Sequence, residues 1–414
     1  MIVVGGFNPV DVLAERGFIH QCTDREALRR LFDDEVFSTY IGYDATADSL
    51  HAGSLITIMA LRWIQRGGHR PIVLLGGGTS KIGDPSGKDE VRRILSEGDI
   101  ARNAESLGVI FSRYLDFDGD GAASAVMCNN ADWLDSLSYI PFLREVGGHF
   151  TINRMLTFDS VRSRLEREQP LTFLEFNYMV LQAWDFVQLS VREGCRLQVG
   201  GSDQWGNIVC GVELSRRLGG ARLHGLTVPL VTTSGGAKMG KTAAGAVWLD
   251  GGKVSPNDFW QYWRNVSDED LGRFLSLFTE LPMSEVESLA ALRGRERNHA
   301  KIVLADNVTA LCHGGDAARG AREVAERIFV EGGVDAGLAV YEVGEGLTLV
   351  AALVEADLAI SNSEARRAVR GGGVRVNGEK ISDIGYVLSR EIFGDDGTAQ
   401  VSLGRKKHVL LKIN

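Results

Sequence analysis

At 414 residues the chain is long enough for two or three domains, each with its own core. Its 44% hydrophobic and 24% charged residues are ordinary for a globular protein, and no apolar run nears the roughly 18 residues a membrane span needs. The net charge of −9 argues against nucleic acid, but from Gly346 onward ten Lys/Arg face eight Asp/Glu, a net of +2 that leaves −11 for the remainder. An acidic body with a mildly basic tail can still bind RNA if the basic groups share one face. The five cysteines are scattered, odd in number and never spaced C-x-x-C, so neither a disulfide framework nor a cysteine zinc site is expected, and a reducing cytoplasm is. Asp11 and Glu15 follow a four-residue apolar start, so neither a signal nor a transit peptide is evident.

In chain order, Thr39 to Tyr43 reads as a strand, Ala52 to Arg66 as a helix stopped by Gly67 and Gly68, and Pro71 to Leu75 as a buried strand. That is one β-α-β unit, the building block of a doubly wound parallel sheet, so the fold class is α/β. A glycine-rich turn and the loop GDPSGK follow. Long amphipathic helices are expected to about Arg192, then short strands near Leu197 to Val199 and Thr227 to Val231. Ser255 to Phe329 reads as helical, with Ser267 and Ser284 as caps. The predicted organisation is a Rossmann-like domain over 1–235, a loop and helical domain over 236–330, a glycine-rich linker over 331–345 and a small α/β domain over 346–414. In the last of these, VRVNGEKI predicts a hairpin turning at Asn377-Gly378.

Four segments carry chemistry. His51 and Gly53 open a helix at the carboxyl end of a strand, where unpaired N–H groups and the helix dipole favour phosphate. Much later, Lys238 and Lys241 flank Gly240 in KMGKT. GGAKMGKT formally satisfies the P-loop pattern, but a P-loop needs a helix opening at its Lys-Thr pair, and AAGAVWLDGG is a poor helix. A mobile loop closing two lysines over pyrophosphate fits better; a solvated surface loop is the competing reading. Lys88 and Arg92 add cationic reach from the GDPSGKDEVRR loop. On the helix around YMVLQAWD, Tyr178, Gln182 and Asp185 stand at i, i+4 and i+7, a polar stripe that is costly to bury unless a ligand or an internal network satisfies it. GGSDQWGN supplies Gly200 and Gly201, which permit close approach of a ribose, and Asp203, placed to bind its hydroxyls.

In this order and spacing the four segments resemble the bacterial-type tyrosyl-tRNA synthetases, class I aminoacyl-tRNA synthetases, over nearly the whole chain. The resemblance implies that L-tyrosine and ATP form tyrosyl-adenylate, which then esterifies tRNA(Tyr). It makes His51 and Gly53 the HIGH-type signature, with Ser54 in place of the second histidine, and Lys238 and Lys241 the KMSKS-type signature. Thr46, His51, Lys238 and Lys241 would stabilise charge; Gly53, Ser54, Lys88, Arg92, Gly201, Asp203, Leu230, Val231 and Lys241 would hold ATP. Tyrosine would meet Tyr178, Gln182 and Asp84 at its amino group, Asp185 and Tyr40 at its phenol, and Asn130 and Gln204 besides. Mg²⁺ is expected to arrive with ATP rather than in a protein cage, so no protein-bound metal is predicted. The tail segment SNSEARRAVRGGGVRVNGEKISD resembles a small RNA-binding module, with Arg366, Arg367, Arg370 and Arg375 facing phosphate. A homodimer follows from the family; neither membrane nor DNA is an expected partner. A tryptophanyl-tRNA synthetase, a P-loop NTPase and a non-enzymatic RNA-binding relative share parts of this pattern.

Overall fold

The computed structural model describes residues 6–86, 95–119, 121–236, 238–242, 245–330, 340–344, 346–356, 358–394, 397–404 and 407–413, with backbone alone at 241, 242, 328–330 and 340. The chain divides into two compact units, Met1–Ala318 and Arg319–Asn414.

The first unit is built on six strands: β1 (Gln21–Cys22), β2 (Ser38–Tyr43), β3 (Arg70–Leu75), β4 (Val126–Asn129), β5 (Cys195–Gly201) and β6 (His224–Val228). They lie in the order β1-β6-β5-β2-β3-β4, all parallel except β1 against β6. β2 and β3 are almost wholly buried, as parallel strands covered on both faces are; β3, RPIVLL, reads as an apolar run, whereas β2, STYIGY, buries a serine and a threonine with its tyrosines. β6 stops at Val228, three residues short of the expected end, because Pro229 cannot donate to the ladder.

β4 was not expected: the stretch read as long helices contains this strand. Its four half-buried residues, VMCN, show neither an apolar run nor alternation. The helices that follow are short as well, Ala131–Leu134, Tyr139–Glu145, Ile152–Met155 and Asp159–Glu166. The long one is Phe173–Glu193. It opens with a capping box between Thr172 and Glu175 and ends at Gly194, whose φ of 63° suits only a residue tolerant of the left-handed region. Its inner face packs Phe186 and Leu189 against Tyr40, Ile72 and Leu74 of the sheet. Beyond Ser255, which caps the Pro256–Arg264 helix, Phe259, Trp260, Trp263, Phe274 and Phe278 form an aromatic core. Ser284 is not a cap: it is the second residue of the Met283–Ala291 helix, which Pro282 precedes.

KMGKT does not open a helix. Lys241–Thr242 forms β7 and pairs antiparallel with β8 (Gly245–Ala246), which removes the P-loop reading.

The second unit has five strands, β9 (Val340–Val343), β10 (Val374–Val376), β11 (Glu379–Ile381), β12 (Thr398–Leu403) and β13 (Lys407–Ile413), in the order β11-β10-β12-β13-β9. Helices Leu349–Glu355 and Asn362–Arg370 bury Leu349, Leu353, Ala365 and Val369 against Val374, Val401 and Leu411. Asn377 and Gly378 turn the β10–β11 hairpin with φ of 47° and 84°, the pair of positive values a type I′ turn requires. Residues 331–339 and 345 of the expected linker lie outside the described residues.

Candidate active site

The sheet order reverses between β2 and β5, and in open parallel sheets ligands bind outside the carboxyl ends of strands at such a point. A cavity of about 430 Å³ opens there. Tyr40, His51, Gly53, Ser54, Asp84, Asn130, Tyr178, Gln182, Asp185, Gly201, Asp203, Gln204, Leu230, Val231 and Lys238 all line it, residues drawn from the four motif segments and, with Asp84, Asn130 and the pair Leu230 and Val231, from three stretches outside them.

One end is a buried polar network. Asp185 is 2% exposed; it accepts from Asn130 Nδ2 at 2.9 Å and from Trp133 Nε1 at 2.7 Å. Burial raises its carboxyl to about 7, against the two hydrogen bonds that lower it. Asn130 is itself fixed, accepting from Gly78 N at 2.8 Å and donating to Thr79 Oγ1 at 3.0 Å, so its amide is already engaged in orienting Asp185. Beside Asp185 the Tyr40 hydroxyl is buried with no hydrogen-bond partner. Its partner in the β2–β5 register, Gln198, likewise buries an unpaired Oε1 at the cavity. Unpaired buried polar atoms are costly, and a ligand that pairs them recovers that cost.

Next to this end, Gln204 donates to Asp84 at 2.7 Å while Asn207 donates to Gln204 at 3.2 Å and to Gln182 at 3.0 Å. Asp84 also accepts from Ser86 N at 2.9 Å. Tyr178 donates to Asp44 Oδ1 at 3.1 Å. Asp44, Thr79, Trp133, Gln198 and Asn207 were not singled out in the sequence. Asn207 stands inside GGSDQWGN and Asp44 directly after the strand Thr39 to Tyr43, so position was signal enough. Trp133 and Gln198 read only as ordinary core and strand residues.

At the other end the two lysine- and histidine-bearing segments meet. A Cβ on Gly53 would stand 2.6 Å from the Met239 carbonyl, and Gly240, at φ +79°, packs so closely that its own Cβ would stand 2.6 Å from Gly53 N. Only glycine at both positions allows that approach. Met239 N donates to the Val231 carbonyl at 2.9 Å, and His51 bridges to Trp248. The expectation of unpaired N–H groups at the helix start fails here. Ala52 N donates to Val247 O at 2.8 Å, Gly53 N to His51 Nδ1 at 3.0 Å and Ser54 N to His51 O at 2.8 Å. The histidine therefore carries its ring proton on Nε2, and side chains rather than backbone face the cavity. Lys238 is exposed at the rim. Burial and then the Asp84 charge raise Asp203 above the usual carboxylate range, and Lys238 pulls it back.

Thr46 is exposed in the loop after β2 and is not among the lining residues. Lys88 and Arg92 lie outside the described residues, and Lys241 is described by its backbone alone. In the second unit Arg366, Arg367 and Arg370 are exposed on one helix; Arg375, exposed on β10, donates to Gly378 O at 2.8 Å. Among the described residues no group of three or more His, Cys, Asp or Glu is arranged to hold a metal.

The model of class I tRNA synthetases (W and Y) matches residues 33–330. The chain belongs to that family. The C-terminal domain of tyrosine–tRNA ligases of the SYY-like type matches residues 332–411. A tyrosine–tRNA ligase of Xanthobacter autotrophicus is 58% identical over 97% of this chain and 96% of its own length. One of Rhodospirillum rubrum is 54% identical over 97% of each. The solved C-terminally truncated mitochondrial tyrosyl-tRNA synthetase of Aspergillus nidulans superposes with a TM-score of 0.69 at 30% identity, covering 78% of this chain and 94% of that one. As a class I synthetase the chain uses ATP.

Proposed function

We propose that this chain is a tyrosine–tRNA ligase whose cavity binds L-tyrosine at the Asp185 end and ATP at the His51 end. The observation that carries the reading is the buried Tyr40 hydroxyl without a partner beside Asp185. A substrate phenol can accept from Tyr40 and donate to Asp185, which satisfies both. Phenylalanine leaves the Tyr40 hydroxyl unpaired and brings Asp185 no donor, and these synthetases are themselves the standing example of such discrimination. The substrate's ammonium group falls to Asp84, Tyr178 and Gln182.

In the first step a carboxylate oxygen of tyrosine attacks the α-phosphorus of ATP, a new oxygen–phosphorus bond forms, and the bond to pyrophosphate breaks. The nucleophile comes with the substrate, so the protein supplies position and charge. His51 donates from Nε2 to a phosphoryl oxygen; Thr46, Lys238 and Lys241 stabilise the departing pyrophosphate, and Lys88 and Arg92 add to the hold on ATP. Gly201 and Asp203 hold the ribose, and Leu230 and Val231 the adenine. Mg²⁺ accompanies ATP. In the second step a hydroxyl of the terminal tRNA ribose attacks the tyrosyl carbonyl and AMP leaves. Arg366, Arg367, Arg370 and Arg375 hold the tRNA by its phosphates.

The functional division is catalytic over 1–235, phosphate loop and helices over 236–330, linker over 331–345 and RNA-binding over 346–414. A homodimer is supported by exposed apolar side chains on the short helices Tyr139–Glu145 and Ile152–Met155 and at the start of the long helix, among them Tyr139, Ile140, Leu143, Ile152 and Phe173. Five free cysteines fit a reducing cytoplasm.

Pyrophosphate exchange into ATP, run with each amino acid singly, tests the reading: tyrosine alone is expected to drive it. Exchange driven by tryptophan, or equally by phenylalanine, overturns it. A chain ending at Gly344 is expected to keep exchange and lose most tRNA charging; undiminished charging would reject the role of the tail arginines.

A further inference from the structure

The hairpin that carries Lys238 rests on a helix start whose carboxylate is turned away from its own helix. Asp270 stands at the N-cap of the helix Leu271–Phe278, where an aspartate ordinarily accepts from the first backbone N–H groups of the helix it opens. Here its side chain makes no such bond. Asp270 is 4% exposed, and its Oδ2 accepts instead from Ser234 N at 2.8 Å, 36 residues away in sequence. The same oxygen accepts from Ser267 Oγ at 2.8 Å, and Oδ1 accepts from Arg273 Nη2 at 2.8 Å.

The groups around that carboxylate also reach the hairpin. Arg273 donates to the Thr232 carbonyl, and the hydroxyls of Ser234 and Ser267 hydrogen-bond at 2.8 Å. The seat therefore grips the outward arm on both sides of Thr233. Thr232 bridges to Lys238 on the return arm, and Gly236 N donates to Thr233 O at 2.8 Å in the turn between them. The root of the hairpin is fixed separately, by buried Met239 and by the packing of Gly240 on Gly53. Lys238, exposed at the cavity rim, is thus held from its root and from across the hairpin. Burial alone would raise the Asp270 carboxyl, but the bonds from Ser234 and Ser267 and the charge of Arg273 hold it below the usual carboxylate range. The seat stays charged near neutral pH.

We propose that Asp270 is a positioning residue for Lys238: with Arg273 it seats the hairpin on the helix start and holds the lysine at the cavity rim. This rests on the reading that Lys238 acts on the departing pyrophosphate. Asp270 does not line the cavity and touches no reacting atom.

The test is single-turnover formation of adenylate by the full chain, at varied tyrosine and varied ATP. Asp270→Ala and Arg273→Ala are each expected to lower the rate about threefold to tenfold, the worth of one or two hydrogen bonds, with the affinity for tyrosine within about twofold. Asp270→Asn keeps an acceptor for Ser234 N and is expected to retain more of the rate than Asp270→Ala. The double variant is expected to be no worse than the poorer single one, because both break one seat. With Lys238→Ala already in place, neither change is expected to slow the reaction further, since the lysine they position is gone. Parental rates in both variants, an equal fractional loss with and without Lys238, or a matching loss of tyrosine affinity would overturn the proposal. If Asp270→Ala does not fold, the change at exposed Arg273 still decides it. Lys238→Ala separates the underlying reading: a parental rate there rejects the lysine's role and the seat's with it. A slow Lys238→Ala beside parental Asp270→Ala and Arg273→Ala rejects the seat alone.

Discussion

At the tyrosine end of the cavity, Asp185, Asn130, Asp84, Gln204, Asn207 and Gln182 hydrogen-bond one another and neighbouring backbone before any substrate arrives. At the nucleotide end the backbone N–H groups are engaged within the His51 turn, and an imidazole, a serine hydroxyl and an exposed lysine face the cavity. The difference follows from what each end must do. Recognising a phenol needs fixed, buried partners whose loss is costly. Stabilising a departing pyrophosphate needs charge that can approach and withdraw, and an exposed lysine beside a glycine at positive φ can do so.

If that contrast is right, the largest effect belongs to the buried end. Asp185→Ala removes the acceptor facing the phenol and strands Asn130 and Trp133. The preference for tyrosine over phenylalanine in pyrophosphate exchange is expected to fall about a hundredfold or more, with the KM for ATP little changed. A preference kept within a few fold, in a variant that circular dichroism shows to be folded, would move the reading of the phenol elsewhere.

Lys238→Ala probes the other end. It is expected to lower the rate of adenylate formation about a hundredfold while the KM for tyrosine stays put, the mark of an interaction made mainly in the transition state. Single-turnover measurement separates the two. Parental rates would return Lys238 to an ordinary surface lysine.

Asn207→Ala sharpens the claim that the buried end is preorganised. Asn207 is 4% exposed and its amide donates to both Gln182 and Gln204. Its loss leaves two half-buried amides short of a donor, so the KM for tyrosine is expected to rise about tenfold to a hundredfold and that for ATP to hold. A uniform rise in both would mean that the network stabilises the fold rather than the pocket.

The sequence made the contrast partly legible. The β-α-β unit was readable because β3 is an apolar run, β2 is rich in β-formers and Gly67-Gly68 stops the helix between them, and the tail hairpin because Asn-Gly suits a type I′ turn. Tyr178, Gln182 and Asp185 were visible because a helix puts i, i+4 and i+7 on one face. Trp133 and β4 were not, since a four-residue strand and a tryptophan after it carry no period, and their place is set by pairing with β3 far upstream. The N–H groups of the His51 turn were misjudged because Val247, which takes one of them, comes from nearly two hundred residues away, and because His51 turns its own ring and carbonyl onto the other two. Local rules describe the helix start but not the chain that lies on it.

The smallest expected effect is also the one that ties the buried end to pH. Burial lifts Asp185 from 3.8 to about 7, so the native state holds this proton where the unfolded chain has released it. Stability from that group is full below its unfolded value and is lost as pH rises from about 4 through 7. Tyrosine binding runs the opposite way. The phenol O–H needs an ionised acceptor, and protonated Asp185 offers a competing donor. The KM for tyrosine is therefore expected to fall as pH rises, by about tenfold between pH 6 and 8, while the unliganded protein's thermal midpoint falls across the acid side of that window. The ATP end holds an imidazole and the raised Asp203 carboxyl, so the KM for ATP carries a pH profile of its own, which Asp185→Asn should leave unchanged. Asp185→Asn, which does not titrate, should flatten the tyrosine profile. A tyrosine KM that ignores pH in the parent, or that keeps its slope in Asp185→Asn, would place the titrating acceptor on another side chain and remove the distinction between the two ends.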